Sequence, residues 1–271
     1  MSSSDQPYCA TLIGCGKMGS AMMESWLNNN LVHHVNVIDP SPLPEHLSND
    51  PRVHYYASYQ SGISAPDILV LAVKPQILKE ASQQIAQDIS ADTVLLSIAA
   101  GQSLATLEEI FGAEQPIIRT MPNTPAAIGK GISVSVANGY VTATQKIIAE
   151  ILLSASGIHK WIDDEHLMDA VTALSGSGPA YIFHFIEALA HAGERLGLDG
   201  DLSIALARQT VIGSAALAEH NPDTSAATLR ENVTSPGGTT QSALNILMDG
   251  RFQDLLNEAL NAAKKRSQEL G

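Results

Sequence analysis

At 271 residues with 45% apolar side chains, the chain is long enough for two packed domains, yet no segment nears the roughly 20 uninterrupted apolar residues of a membrane span. The formal charge of −13, from 28 acidic and 15 basic residues, repels nucleic-acid backbones and anionic membranes, while backbone amides can still hold a small anion. Cys9 and Cys15 are poorly spaced for a disulfide, and the N-terminal residues lack the basic and apolar blocks of a signal peptide, so a reducing cytoplasmic home is expected.

In chain order, Cys9-Ala-Thr-Leu-Ile13 reads as a first strand, followed by a glycine turn and a helix to about Leu27. Further strands are expected at Val35–Asp39, Asp67–Val73, Thr93–Ala99, Ile117–Thr120 and Ile132–Ala137. The central runs are apolar throughout, as parallel strands covered on both faces must be. Strand–helix alternation at these spacings predicts an α/β fold, an N-terminal Rossmann-type doubly wound sheet over residues 1–161.

Beyond Trp161 strand-like runs stop. Pro179–Leu196, Leu202–Glu219, Thr239–Met248 and Phe252–Glu269 read as helices, giving an all-α C-terminal domain over 162–271. Tyr181–Ala190 and Ile204–Ala218 are apolar nearly all round, which in so small a domain calls for burial against a second subunit, hence a homo-oligomer.

Gly14-Cys-Gly16-Lys17-Met18-Gly19 opens the first helix directly after the first strand. Glycines there serve a tight turn, backbone approach to a pyrophosphate and close helix–strand packing, and the pyrophosphate rests on helix N-terminal amides. Asp39 lies 20 residues past Gly19, where a carboxylate grips the ribose 2′-hydroxyl of NADH. Alternatively, a turn at Pro40-Ser41 lets the Ser41 hydroxyl and nearby amides meet the 2′-phosphate of NADPH, so on the residues alone both cofactors remain open. Ala72-Val73-Lys74-Pro75 and Ala99-Ala100-Gly101 follow two later strands and belong on the same cofactor cleft, at the carboxyl ends of the sheet.

In the helical half, Ser175-Gly-Ser177-Gly-Pro-Ala-Tyr181 precedes a long apolar helix, with Ser177 or Gly178 suited to its cap. Thr234-Ser-Pro-Gly237-Gly238-Thr239-Thr240 runs into another helix. Its free amides suit a carboxylate, and a threonine hydroxyl there can bond a ring nitrogen. No cluster of residues suggests a metal. No Gly-x-Ser-x-Gly elbow supports hydrolysis. A 3-hydroxy-acid dehydrogenase would place a lysine in the helical domain, but none stands between Lys160 and Lys264. A non-catalytic cofactor sensor on the same fold is the other alternative.

These motifs, with Met-Pro-Asn-Thr-Pro at 121–125, Leu-Ser-Gly-Ser-Gly-Pro-Ala-Tyr at 174–181 and Asn-Val-Thr-Ser-Pro-Gly-Gly-Thr-Thr at 232–240, resemble the pyrroline-5-carboxylate reductases in family order. The resemblance implies hydride transfer from NAD(P)H to L-1-pyrroline-5-carboxylate, giving L-proline in the final step of proline biosynthesis. It implies that Thr240 bonds the ring nitrogen and that the amides of Gly237, Gly238 and Thr239 hold the carboxylate. It further implies that Thr172, Glu165 and Ser177 lie near the substrate and that Asn232 contacts the cofactor. It leans toward NADPH and implies dimers, often five to a ring. Two departures stand out. Ser58-Tyr59 occupies a place where the family often has an asparagine, and the loop 221–229 looks longer than usual, which unsettles the alignment of Glu219.

Overall fold

The computed structural model describes residues 7–270, so the expectation drawn from residues 1–6 lies outside it. The chain forms two compact units. The first runs to Ser177 and takes in residues from Ala263 onward, and the second is Gly178–Ala262.

The first unit is built on eight strands: β1 (Tyr8–Ile13), β2 (Val32–Ile38), β3 (Val53–Tyr56), β4 (Ile68–Leu71), β5 (Val94–Ser97), β6 (Ile117–Met121), β7 (Gly131–Ala137) and β8 (Gly157–Trp161). Their spatial order is β3-β2-β1-β4-β5-β6-β7-β8. Every pair is parallel except β6–β7. The strand order reverses between β1 and β4, which opens a crevice beyond the carboxyl ends of those two strands, where doubly wound sheets bind ligands.

Alternate residues of each central strand feed different cores. Leu12, Val70 and Leu96 pack with Met22, Trp26 and Leu152, from the helices Lys17–Asn28 and Ala143–Ser154. Ile13, Leu71 and Leu95 pack with Leu78, Leu107 and Phe111 on the opposite face. The Trp26 indole N–H donates to the Leu152 carbonyl at 3.0 Å, which satisfies the one polar atom of the largest buried side chain. Two strands went unforeseen, β3 and β8, and they are the two edges of the sheet.

The second unit is helical: Gly178–Arg195, Gly200–His220, Ala226–Asn232, Thr239–Leu247 and the first part of Arg251–Leu270. Asp199 caps the second of these by accepting from the backbone N–H of Asp201 and Leu202 at 3.0 and 3.3 Å. The reading of 221–229 as one long loop is corrected here. Ser225 accepts from Thr228 N at 3.1 Å and starts a helix at Ala226, so only a short connection remains. The helix Gly178–Arg195 buries Ala190 alone, and Gly200–His220 buries only Ser203 and Ala207. Phe183, Phe185, Ile204, Leu206 and Ile212 are all exposed in the single chain.

Candidate active site

The cofactor-side residues all lie in the first unit except Asn232. Gly14 has φ +88°, and its N–H donates to Ile38 O at 2.9 Å. A side chain at Gly14 would collide with the Ala72 carbonyl and Val73, both 2.8 Å from an ideal Cβ. Gly19 is buried, and a Cβ there would strike the Gly14 carbonyl and lie 3.2 Å from Ala72. Gly16 faces open space instead and caps the helix Lys17–Asn28 with no side-chain bond to its first-turn amides. One glycine makes the turn, one packs helix on strand, and one leaves the approach clear, over an uncapped helix start. These residues fit a dinucleotide pyrophosphate.

At the end of β2 the Asp39 carboxylate is engaged by main chain on both oxygens. Oδ2 accepts from Cys15 N at 2.6 Å, and Oδ1 accepts from Ser41 N at 2.7 Å. Burial, with Asp39 and Glu24 adding to it, pushes the Cys15 thiol up to about 11, so it stays protonated at neutral pH. Ala72 follows β4 and donates to Ile13 O at 2.8 Å, which keeps Ala72–Val73 against the glycine loop. Lys74 is exposed and precedes Pro75, the first residue of a short 3-10 turn. Ala99 and Ala100 follow β5, and Gly101 has φ +78°. A Cβ on Gly101 would meet Leu270 at 3.1 Å, so the glycine there serves close approach of the C-terminal helix.

On the substrate side, Glu165 and Thr172 lie in the first unit with Ser177 at its limit. Glu165 Oε1 accepts from the buried Arg119 guanidinium at 2.7 Å and from Leu104 N at 2.8 Å, the start of the helix Leu104–Phe111. Thr172 opens a π-helical turn, Thr172–Gly176, in which Ser177 N donates to Thr172 O at 2.9 Å and the Thr172 hydroxyl donates to Met168 O at 2.9 Å. π-turns of this kind recur at functional sites. The expected capped helix start at Ser177 or Gly178 is therefore replaced by this wide turn.

Asn123 is a residue that the sequence reading left within a motif without a role. Its Nδ2 donates to Ser175 O at 3.1 Å and its Oδ1 accepts from Ile132 N at 2.9 Å, so it pins the π-turn to the β6–β7 connection. A Cβ at Gly176 would strike the Met121 methyl, which explains a glycine in that turn. The signal was present in Met-Pro-Asn-Thr-Pro, but a half-buried amide in a loop declares no partner in sequence.

In the second unit Gly237 has φ +70° and Gly238 caps the helix Thr239–Leu247 with no side-chain bond. The Gly238 N–H itself donates to Ser235 O at 3.0 Å. Thr239 is exposed and Thr240 half-buried. Nearby, a cavity of about 490 Å³ is lined by Arg230, Thr234, Gln241 and Asn245 among others. Asn232 ends the helix Ala226–Asn232 and is exposed.

Residues 165–270 match the family model described as pyrroline-5-carboxylate reductase dimerisation, and residues 10–101 match that described as NADP oxidoreductase coenzyme F420-dependent. A pyrroline-5-carboxylate reductase of Glycine max is 43% identical, over 98% of this chain and 97% of that one. The solved pyrroline-5-carboxylate reductase of Coxiella burnetii superposes with a TM-score of 0.90 at 34% identity, covering 98% of this chain and 99% of the other. A Plasmodium falciparum pyrroline carboxylate reductase, solved with NADP bound, gives 0.80 at 32% identity over 97% and 98%.

Proposed function

The chain belongs to the pyrroline-5-carboxylate reductase family and reduces L-1-pyrroline-5-carboxylate to L-proline, and we propose that the helix start at Gly238–Thr240 is what holds the substrate. The observation that carries this reading is an uncapped, glycine-led helix N-terminus. Its amides are left without a side-chain partner, and a half-buried threonine hydroxyl stands in its first turn.

A nicotinamide cofactor, when bound, would supply the hydride that C5 of the imine receives. The amides of Gly237 and Thr239 hold the substrate carboxylate, Gly238, whose own N–H is taken by Ser235 O, keeps the approach to them open, and Thr240 bonds the ring nitrogen and fixes which face of the ring is presented. Thr172, which opens the π-turn, Ser177, which follows it, and Glu165 complete the set of substrate-binding residues. On the cofactor side, Gly14, Gly16, Lys17, Met18 and Gly19 carry the pyrophosphate, Asp39 and Ser41 lie at the adenosine ribose, and Ala72–Pro75, Ala99–Gly101 and Asn232 line the rest. An imine that is protonated before it binds needs no strong general acid, so orientation carries most of the catalysis. The functional division is 1–161 for the cofactor and 162–271 for substrate and assembly. Five dimers in a ring are the assembly, and the cytoplasm, where Cys9 and Cys15 stay reduced, is the location.

The test is cofactor oxidation driven by pyrroline-5-carboxylate in Thr240→Ala and Thr240→Ser. The alanine variant should lose about tenfold in kcat/KM, roughly 1.4 kcal/mol, and the serine variant should recover most of it. Equal kinetics in Thr240→Ala and the parent would remove Thr240 from the site.

A further inference from the structure

Resting on the glycine loop as the cofactor site, we propose that Asp39 makes this enzyme selective for NADH and excludes the 2′-phosphate of NADPH. The carboxylate cannot turn away from the ribose position. Its two oxygens are held by the amides of Cys15 and Ser41, at 2.6 and 2.7 Å, and its own N–H donates to Tyr56 O at 3.1 Å. A carboxylate offers about four acceptor positions, so the two backbone bonds leave room for a ribose hydroxyl to donate. A phosphate ester brings close to two negative charges and no donor of use, so the same fixed carboxylate repels it.

Beyond the Ser41 hydroxyl and the Leu43 N–H, the adjoining turn offers little to offset that repulsion. A 2′-phosphate needs backbone N–H groups or cations. Pro40, Pro42 and Pro44 have no N–H, and Asp39 already takes that of Ser41. The short helix Glu45–Ser48 that follows begins with another carboxylate. The first arginine downstream, Arg52, is committed elsewhere. It bonds Asp50 at 2.7 and 2.9 Å and the Leu27 carbonyl at 3.0 Å, at the C-terminal end of the helix Lys17–Asn28. At 1.5 Å per residue that end lies about 16 Å from the glycine loop. Lys17, exposed at the start of the same helix, stands in the glycine loop that receives the pyrophosphate common to both cofactors. Selectivity for NADH would reverse the lean toward NADPH that the family resemblance implies.

The experiment titrates NADH and NADPH against the intact protein by nicotinamide fluorescence, without substrate, and in parallel measures kcat/KM for each. The parent protein should bind NADH at least tenfold more tightly than NADPH. Asp39→Ser removes the charge and frees the Ser41 amide, and Asp39→Asn removes the charge while keeping an acceptor for Cys15 N–H. Both should shift the ratio of affinities toward NADPH by tenfold or more, and the asparagine variant keeps the loop shaped should the serine variant unfold. Equal or tighter binding of NADPH by the parent, or an unchanged ratio in both variants, would overturn the assignment. Loss of turnover with the binding preference intact would fault the substrate reading and support this one. Failure to bind either nucleotide would overturn both the loop site and its selectivity.

Discussion

Two side chains in the first unit carry stability in ways that solution experiments can separate from chemistry. Arg119 is a buried cation whose partner Glu165 also receives a helix-start amide, so removing either leaves a charge or an N–H uncompensated. Arg119→Met should lower unfolding free energy by about 3 kcal/mol in urea titration, and Glu165→Gln, which keeps an acceptor, by about 1 kcal/mol. Should Glu165→Gln also raise KM for pyrroline-5-carboxylate, the residue touches substrate; stability loss alone marks it as a brace. His159 is the second case. Its Nε2 bonds Ser135 Oγ at 2.9 Å, its Nδ1 is buried with no hydrogen-bond partner among the described residues, and its ring meets Trp161 edge-on at 4.9 Å. Burial holds the imidazole below the usual histidine range, with Glu150 opposing and Lys160 adding to the effect. The folded pKa lies below the unfolded one, so the unfolded chain takes up the proton first. Stability is therefore full above the ordinary histidine range and falls as pH drops through it, until the folded group also titrates. Replacing His159 with Gln should flatten that slope between about pH 7 and 5, followed by Trp161 fluorescence during acid unfolding. An unchanged slope would show that another group carries the acid sensitivity.

At the scale of elements, the turn from β1 into the helix Lys17–Asn28 assigns separate duties to its glycines, and alanine at each should fail differently. Gly16→Ala meets open space and sits in extended backbone, so unfolding free energy should change by only about 0.5 kcal/mol while cofactor affinity falls about tenfold, because the added methyl occupies the approach. Gly19→Ala drives a methyl into the Gly14 carbonyl and should destabilise the fold itself by about 2 kcal/mol. Calorimetry paired with cofactor titration distinguishes the two, and equal effects from both would contradict this division. Legibility in the sequence follows the same physics. The central strands β1, β4 and β5 are buried and read as apolar runs. The edge strands β3 and β8 show His54, Tyr55, Ile158 and Lys160 to solvent and so lose the run that betrays a strand. Glycine motifs were visible because glycine is demanded by backbone shape. The π-turn, the hold of Cys15 N on Asp39 and that of Asn123 on Ser175 were not: the first is one wide turn within a helical run, and the other two depend on partners distant in sequence and on an orientation that no spacing encodes.

For the whole molecule, the apolar faces of the helical unit decide its state of assembly. Phe183 is 62% exposed and Leu196 85% exposed in the single chain, and a unit of this size with such faces open to water has too little interior of its own. The dimerisation family that spans 165–270 accounts for them as surface covered in the oligomer. Unfolding midpoints should therefore rise with protein concentration, and Phe183→Glu should shift sedimentation toward monomer with loss of activity. A midpoint independent of concentration, with a monomeric sedimentation coefficient in the parent, would refute this.

The last part of the helix Arg251–Leu270 belongs to the first compact unit, where Leu270 packs on Gly101 and the Ser267 hydroxyl donates to Asp169 at 2.7 Å. During synthesis, then, the nucleotide unit is not closed when its eighth strand leaves the ribosome. The 101 residues 162–262 must be translated first, roughly 5 to 20 s at ordinary elongation rates. For that interval the surface around Gly101 stands bare on a half-finished chain, a window in which chaperones, rather than the native partner segment, are its available cover.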